Sequence, residues 1–313
     1  MPYDFILCTR NKKDNKFGTK LGNVTYLKIP KDEKTPSPSH KMDNIKFWFE
    51  AIIEKATINR ESDLSVVFFI HGYNTDSEEA LNRQRQVEKK LGEHGFSCVV
   101  VGFDWASAGN VVDYLYDRTN AIKTATTLVT AGIIPFALYK HESCLINVNI
   151  IAHSMGAFVV REAFRNTDKS RISKISSDWK IGQLVLVAAD ISSDCFANAD
   201  DKDTKFLFKH CGRLTNYFSG HDEVLAVSNI KNIDIDSRVG RVGMPTNSIG
   251  NSKALDVDCS QRYNSTSSGS SHSWYFFDEM WYSDLVLTLK SNIDRNLFTT
   301  RIKNGENDFE LKS

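Results

Sequence analysis

Five consecutive apolar residues, Val66-Val67-Phe68-Phe69-Ile70, constrain this chain more than any other feature. A run of strand length without polar alternation has no solvent face, so both of its sides must be covered. The run stops abruptly at His71-Gly72, and comparable runs recur along the sequence. Residues 3–9, 24–29, 97–103, 145–152, 183–189 and 213–219 read as further strands. Between them lie stretches with helical spacing: 44–56, with Ile45, Phe49, Ile52 and Ile53 on one face, then 77–91, 117–138, 155–164 and 274–289. Such alternation predicts an α/β protein with a doubly wound, mostly parallel sheet flanked by helices.

Of the 313 residues, 41% are hydrophobic, enough to fill one large core, and a single domain over 1–313 is the simplest organisation. Residues 1–60 would complete the sheet with N-terminal strands and a helix. The solvated run NADDKDTK at 198–205 marks 190–212 as a cap insertion, and 230–271, rich in Ser, Asn, Gly and Asp, reads as a long loop. Basic and acidic residues balance at 39 each and nothing suggests the basic face that nucleic-acid phosphates require, so no nucleic-acid partner is expected. The most apolar stretch, 124–139, is interrupted by Gly132 and Pro135 and reads as a buried or pocket-lining helix. Nothing approaches the roughly 18 apolar residues of a membrane span, so no integral membrane association is expected. The N-terminus lacks a signal-peptide pattern, and the six cysteines are scattered with no Cys-x-x-Cys pair; a reducing, cytoplasmic compartment is expected. No metal-ligand spacing and no phosphate-cradling glycine loop occurs, so neither metal nor cofactor is expected. No feature of the chain identifies a protein partner.

The strand at 145–151 runs into Ala152-His153-Ser154-Met155-Gly156-Ala157, and a helix follows. A strand–turn–helix unit of this kind can hold a serine in a strained turn with its hydroxyl above the sheet, provided the residues two before and two after are small. Ala152 and Gly156 satisfy that condition. Ser154 is therefore a candidate nucleophile, the plainer alternative being a helix N-cap. Acyl chemistry at Ser154 also requires backbone N–H groups aimed at the developing oxyanion. Met155 supplies one, and Tyr73, in the His71-Gly72-Tyr73-Asn74 loop after VVFFI, supplies the other. Gly72 admits close approach of substrate, while the His71 side chain is expected to shape the loop by hydrogen bonding to backbone.

With the serine first, an acid and then a histidine should follow along the chain. Asp222, just past the strand at 213–219, is the leading acid, and Asp190, after 183–189, is its competitor. His272 alone among the histidines lies downstream of Asp222, in a loop before the last helix. In this arrangement His272 takes the Ser154 proton and Asp222 orients the imidazole. Asp104 and Trp105, at a strand end on the same edge, are pocket candidates or packing residues, and His153 and Asp190 complete the candidate pocket.

In order, Thr9-Arg10, Ile29-Pro30, His71-Gly72-Tyr73-Asn74, Phe103-Asp104-Trp105-Ala106-Ser107, Asp113-Tyr114-Leu115-Tyr116-Asp117, Ala152-His153-Ser154-Met155-Gly156, Ala188-Ala189-Asp190-Ile191 and Gly269-Ser270-Ser271-His272 resemble the α/β-hydrolase family catalogued as domain of unknown function 900. The resemblance implies the α/β-hydrolase fold with its nucleophile elbow, and the Ser154, Asp222, His272 assignment. The chain departs from the family at Ala106 and at Ala189-Asp190, where Trp-Pro-Ser and Ala-Pro-Asp are usual, and both departures bear on pocket shape. The expected activity is cleavage of a small-molecule or lipid ester, with acyl or lipid esters favoured by the apolar 124–139 stretch. Acyl transfer or amide hydrolysis would use the same residues, and a non-catalytic binding or scaffold protein is the competing class.

Overall fold

The computed structural model describes residues 3–58, 64–107, 114–141, 144–169, 179–197, 204–226, 237–245, 253–266, 269–290 and 294–313. Among these, eleven strands form the sheet. They are β1 (Tyr3–Lys13), β2 (Lys16–Pro30), β3 (Leu64–Ile70), β4 (Val99–Asp104), β5 (Lys140–His141), β6 (Cys144–His153), β7 (Ile181–Val187), β8 (Cys211–Phe218), β9 (Ala254–Asp258), β10 (Arg301–Lys303) and β11 (Asp308–Leu311). Their spatial order is β10-β11-β9-β8-β7-β6-β3-β4-β1-β2, with β5 pairing to β6. From β1 to β11 the neighbours run parallel, and antiparallel strands β2 and β10 close the two edges. The helices are α1 (Ile45–Thr57), α2 (Ser77–Glu93), α3 (Tyr114–Thr127), α4 (Ile134–Ala137), α5 (Met155–Lys169), α6 (Lys205–His210), α7 (Val239–Val242), α8 (Ser260–Thr266) and α9 (Glu279–Lys290).

The unbroken apolarity of β3 has the expected cause. Val66, Phe68 and Ile70 face one core with Trp48 and Ile52 of α1 and Val159 and Ala163 of α5. Val67 and Phe69 face a second core with Val87 and Leu91 of α2 and Trp281 and Leu285 of α9. Each such side chain taken out of water contributes about 1.5–3 kcal/mol before chain entropy is counted. The helix α2 begins where the sequence can cap it: Asp76 accepts from the Glu79 amide, and Glu79 reaches back to the Asp76 amide.

Three elements differ from the sequence reading. The 124–139 stretch is helical but passes through a π-helical turn, Leu128–Ile133, between α3 and α4. Its Phe136 packs on Trp48, Phe49 and Phe68. Leu128, Val129, Ile133 and Phe136 belong to the core beside α1. Within the stretch read as a long loop, 230–271, β9 and α8 form, and β9 joins the sheet between β8 and β11. The parts 227–236, 246–252 and 267–268 lie outside the described residues, as does 198–203 of the expected cap. Last, two strands absent from the sequence reading, β10 and β11, follow α9 and extend the sheet.

A buried ion pair fastens that C-terminal hairpin to α9. Arg301 Nη2 lies 2.7 Å from Asp284 Oδ2, with both side chains 1% exposed or less. Tyr217 of β8 donates its hydroxyl to the same carboxylate at 2.7 Å. Removing one member strands the other charge in a dry interior. Arg301→Met should therefore lower the unfolding free energy by about 3–5 kcal/mol in urea denaturation, whereas a purely peripheral hairpin would lose less than about 1 kcal/mol.

Candidate active site

The end of β6 carries Ser154 into a left-handed backbone conformation, φ 54°. A non-glycine residue there costs on the order of 1–3 kcal/mol and persists only where its surroundings over-determine it. They do. The Ser154 amide donates to the Val187 carbonyl at 3.0 Å, and the Ser154 carbonyl accepts from Ala157 at 3.0 Å and from Asp190 at 3.1 Å. A side chain at Gly156 would put its Cβ 2.4 Å from the Ile70 carbonyl oxygen, so only glycine lets β3 approach the turn. Met155 then opens α5, where first-turn amides have no acceptor inside the helix.

The loop after β3 lies against the serine. A Cβ placed on Gly72 would sit 3.0 Å from Ser154 Cβ and 3.5 Å from Ser154 Oγ. The next residues, Tyr73 and Asn74, turn sharply, with φ 53° at Asn74. Beneath this loop is a charged cluster. Asp104 Oδ1 lies 2.6 Å from Arg10 Nε and 3.2 Å from His71 Nε2, and Asp104 Oδ2 accepts from the Ser77 hydroxyl at 2.7 Å. Arg10 also donates to the Ser107 carbonyl at 2.8 Å and to the Thr75 carbonyl at 2.7 Å. His71 Nδ1 faces the Gly72 carbonyl at 2.7 Å, and its ring stacks on Trp105, centroids 5.4 Å apart. The Trp105 indole donates to the His71 carbonyl at 2.9 Å. Asp104 and Trp105 are 1% and 0% exposed. Of the two roles the sequence allows them, these contacts favour packing: Asp104 and Trp105 brace the loop from below.

The acid and the imidazole are brought together by the loops after β8 and before α9. His272 Nδ1 donates to Asp222 Oδ2 at 2.7 Å. Asp222 is held in turn by the Leu225 amide, which donates to Oδ1 at 2.9 Å. The other imidazole nitrogen, His272 Nε2, is buried and has no hydrogen-bond partner among the described residues. Asp190 lies elsewhere: Arg238 Nε is 3.2 Å from its Oδ1, both side chains being almost wholly buried. Its backbone serves Ser154 while its carboxylate is engaged with Arg238.

His153 links the two halves of the site, a role the sequence did not reveal. Adjacent to Ser154 in the chain, it donates from Nε2 to the His272 carbonyl at 3.0 Å, and the two rings are 4.8 Å apart. Loss of hydration pushes the His153 pKa well below its usual value, and the neighbouring His272 and Arg83 act in the same direction. Beside it opens a cleft of about 370 Å³ that reaches from Gly72, His153 and Ser273 along α2. Among the described residues no three His, Cys, Asp or Glu side chains gather so as to hold a metal ion, and no helix is long and apolar enough to cross a membrane.

Residues 47–261 match the family described as alpha/beta hydrolase of unknown function, DUF900. The chain belongs to this family. The match takes in β3, the elbow, Asp222 and β9, and stops short of His272. A curated relative, the protein alr1448 of Nostoc sp. strain PCC 7120, is 28% identical over 125 residues, covering 33% of this chain and 32% of that one. Among solved structures, esterase B of Lactobacillus rhamnosis, inhibited by a tributyrin phosphonate, aligns over 89% of this chain and 84% of its own at 9% identity and TM-score 0.41. Two fungal esterases of Rhizomucor miehei give 10% identity and TM-score 0.37 over 92% of this chain and 82% of theirs. This family member thus has the mostly parallel, helix-flanked sheet of the α/β hydrolases.

The brace beneath the loop makes a pH-dependent prediction. Burial alone would raise the Asp104 pKa, but the Arg10 guanidinium, aided by His71, outweighs it and holds the carboxyl well below the usual range. A folded-state value below the unfolded one of about 3.9 gives stability that is complete above about pH 5 and declines as pH falls through the folded value. Asp104→Asn should cost about 3–5 kcal/mol at pH 7, and the gap to wild type should narrow below about pH 4. A pH-independent gap in urea titrations would contradict this.

Proposed function

We propose that this protein is a serine hydrolase that cleaves a carboxylic ester through an acyl-enzyme intermediate. The observation that carries the reading is the orientation of His272. With Nδ1–H committed to Asp222, the other nitrogen is left as a buried lone pair, and Ser154, held at positive φ, follows His153, whose ring lies 4.8 Å from that imidazole. In the proposed reaction His272 Nε2 accepts the Ser154 hydroxyl proton as Oγ attacks the ester carbonyl. The N–H groups of Tyr73 and Met155 stabilise the oxyanion. His272 then returns the proton to the departing alkoxide oxygen, and a water activated by the same nitrogen releases the acid. Asp222 fixes the tautomer and stabilises the imidazolium. A scaffold protein would gain nothing from a strained serine, whose cost recurs in every folded molecule.

The substrate is proposed as a small ester rather than a long-chain lipid, because the apolar 124–139 segment is spent on the core. Among the described residues Cys8, Cys98, Cys195, Cys211 and Cys259 form no disulfide, which suits a reducing compartment, and a cytoplasmic location is proposed on that ground.

Steady-state hydrolysis of a chromogenic ester series separates the roles. Ser154→Ala should abolish turnover, and Asp222→Asn should lower kcat by on the order of 10⁴ through the wrong His272 tautomer. Asp190→Asn should cost far less, its carboxylate facing Arg238 and not the imidazole. Equal losses at Asp190 and Asp222 would refute the assignment.

A further inference from the structure

The cleft beside the candidate nucleophile is polar and holds a prearranged cation. Its lining includes Gly72, where a Cβ would sit 3.0 Å from Ser154 Cβ, together with His153 and Ser273, the chain neighbours of Ser154 and His272. Its outer wall is one face of α2, carrying Asn82, Arg83 and Gln86. The half-buried Arg83 guanidinium lies over the Phe276 ring at 4.5 Å and near that of Phe277 at 5.1 Å. Arg83 Nη1 donates to Gln86 Oε1 at 2.9 Å, and Gln86 Nε2 donates to the Phe276 carbonyl at 2.6 Å. Stacking and this relay fix the plane of the side chain. The Nε–Nη2 edge has no hydrogen-bond partner, and Arg83 forms no ion pair, among the described residues. Arg10, Arg85, Arg161, Arg262 and Arg301 all lie within ion-pair distance of carboxylates.

A guanidinium fixed in a cleft wall with one two-donor edge unbonded among the described residues has the fork that can grip a carboxylate bidentately. Loss of hydration already lowers the Arg83 pKa, the sign of a cation short of water. The nearest carboxylate on the same face, Glu79, is exposed and bonded to the Asp76 amide at 3.3 Å in the cap of α2. We propose that this cleft binds a carboxylate carried by the ester substrate, with Arg83 as the residue that determines that specificity. The proposal rests on the ester-hydrolase reading of Ser154 and narrows it to anionic esters.

Two matched ester pairs test it with the full-length protein. One places the charge on the acyl side, para-nitrophenyl hemiglutarate against para-nitrophenyl pentanoate. The other places it on the leaving group, para-carboxyphenyl butyrate against para-carbamoylphenyl butyrate. In at least one pair the anionic ester should be preferred by about tenfold or more in kcat/KM, the scale of one charge-assisted hydrogen-bonded contact. Arg83→Gln should bring that ratio to about one, and Arg83→Lys, which keeps charge but loses the fork, should leave it between the two. Glu79→Gln preserves the helix cap and removes the opposing charge, so it should raise the ratio through a lower KM for the anionic ester. Should Arg83→Gln fail to fold, the other two variants still decide. Turnover of the neutral esters with no anionic preference, or a preference indifferent to these substitutions, overturns the cleft assignment alone. Failure of wild type to hydrolyse all four esters overturns the function it rests on as well.

Discussion

The left-handed turn at Ser154 is the constraint around which the other strand ends are arranged. Its amide is tied to β7 and its carbonyl to the segment after β7, so the turn forms only when β6 and β7 are in register. Gly156 is pressed against the last carbonyls of β3, which sets the loop bearing Gly72 and Tyr73 beside the serine. Ala188, the residue following β7, is itself at φ 46°, and Gly240 packs so closely on Ala188 and Ala189 that a side chain there has no room. The strain of a few kcal/mol at one residue is thus supported by contacts from three strands and two loops.

Charge burial follows the same logic. Arg10 on β1 reaches under the loop after β3, and Asp104 at the end of β4 receives it. The pair contributes less through net attraction than through geometry: two buried charges leave the loop few alternative positions without an uncompensated ion. His153 performs a comparable task without charge. A neutral ring donates to the His272 carbonyl, where an imidazolium beside a second imidazole would add like-charge repulsion whenever His272 is protonated.

Much of this was legible in the sequence, for identifiable reasons. Buried parallel strands announce themselves as unbroken apolar runs, so β3, β4, β6, β7 and β8 were readable to within about two residues. The left-handed turn at Ser154 was readable because it restricts the flanking residues to small ones, and the Asp222–His272 contact because His272 alone among the histidines lies downstream of Asp222. The strands β10 and β11 were not, since three- and four-residue strands carry too few residues for a period to register. Nor was the choice between Asp190 and Asp222 decided by position; it turns on which carboxylate meets the imidazole and which meets Arg238. Arg83, and the bond from His153 to the His272 carbonyl, were opaque because they depend on contacts between α2, the elbow and the loop before α9, far apart in the chain.

The central claim is that Ser154 is the one nucleophile of this site, and a covalent map tests it without assuming any substrate. The folded protein treated with a fluorophosphonate should gain one adduct, and peptide mass spectrometry should place it on Ser154. No adduct on the folded chain, or an adduct at another residue that persists in Ser154→Ala, would contradict the account.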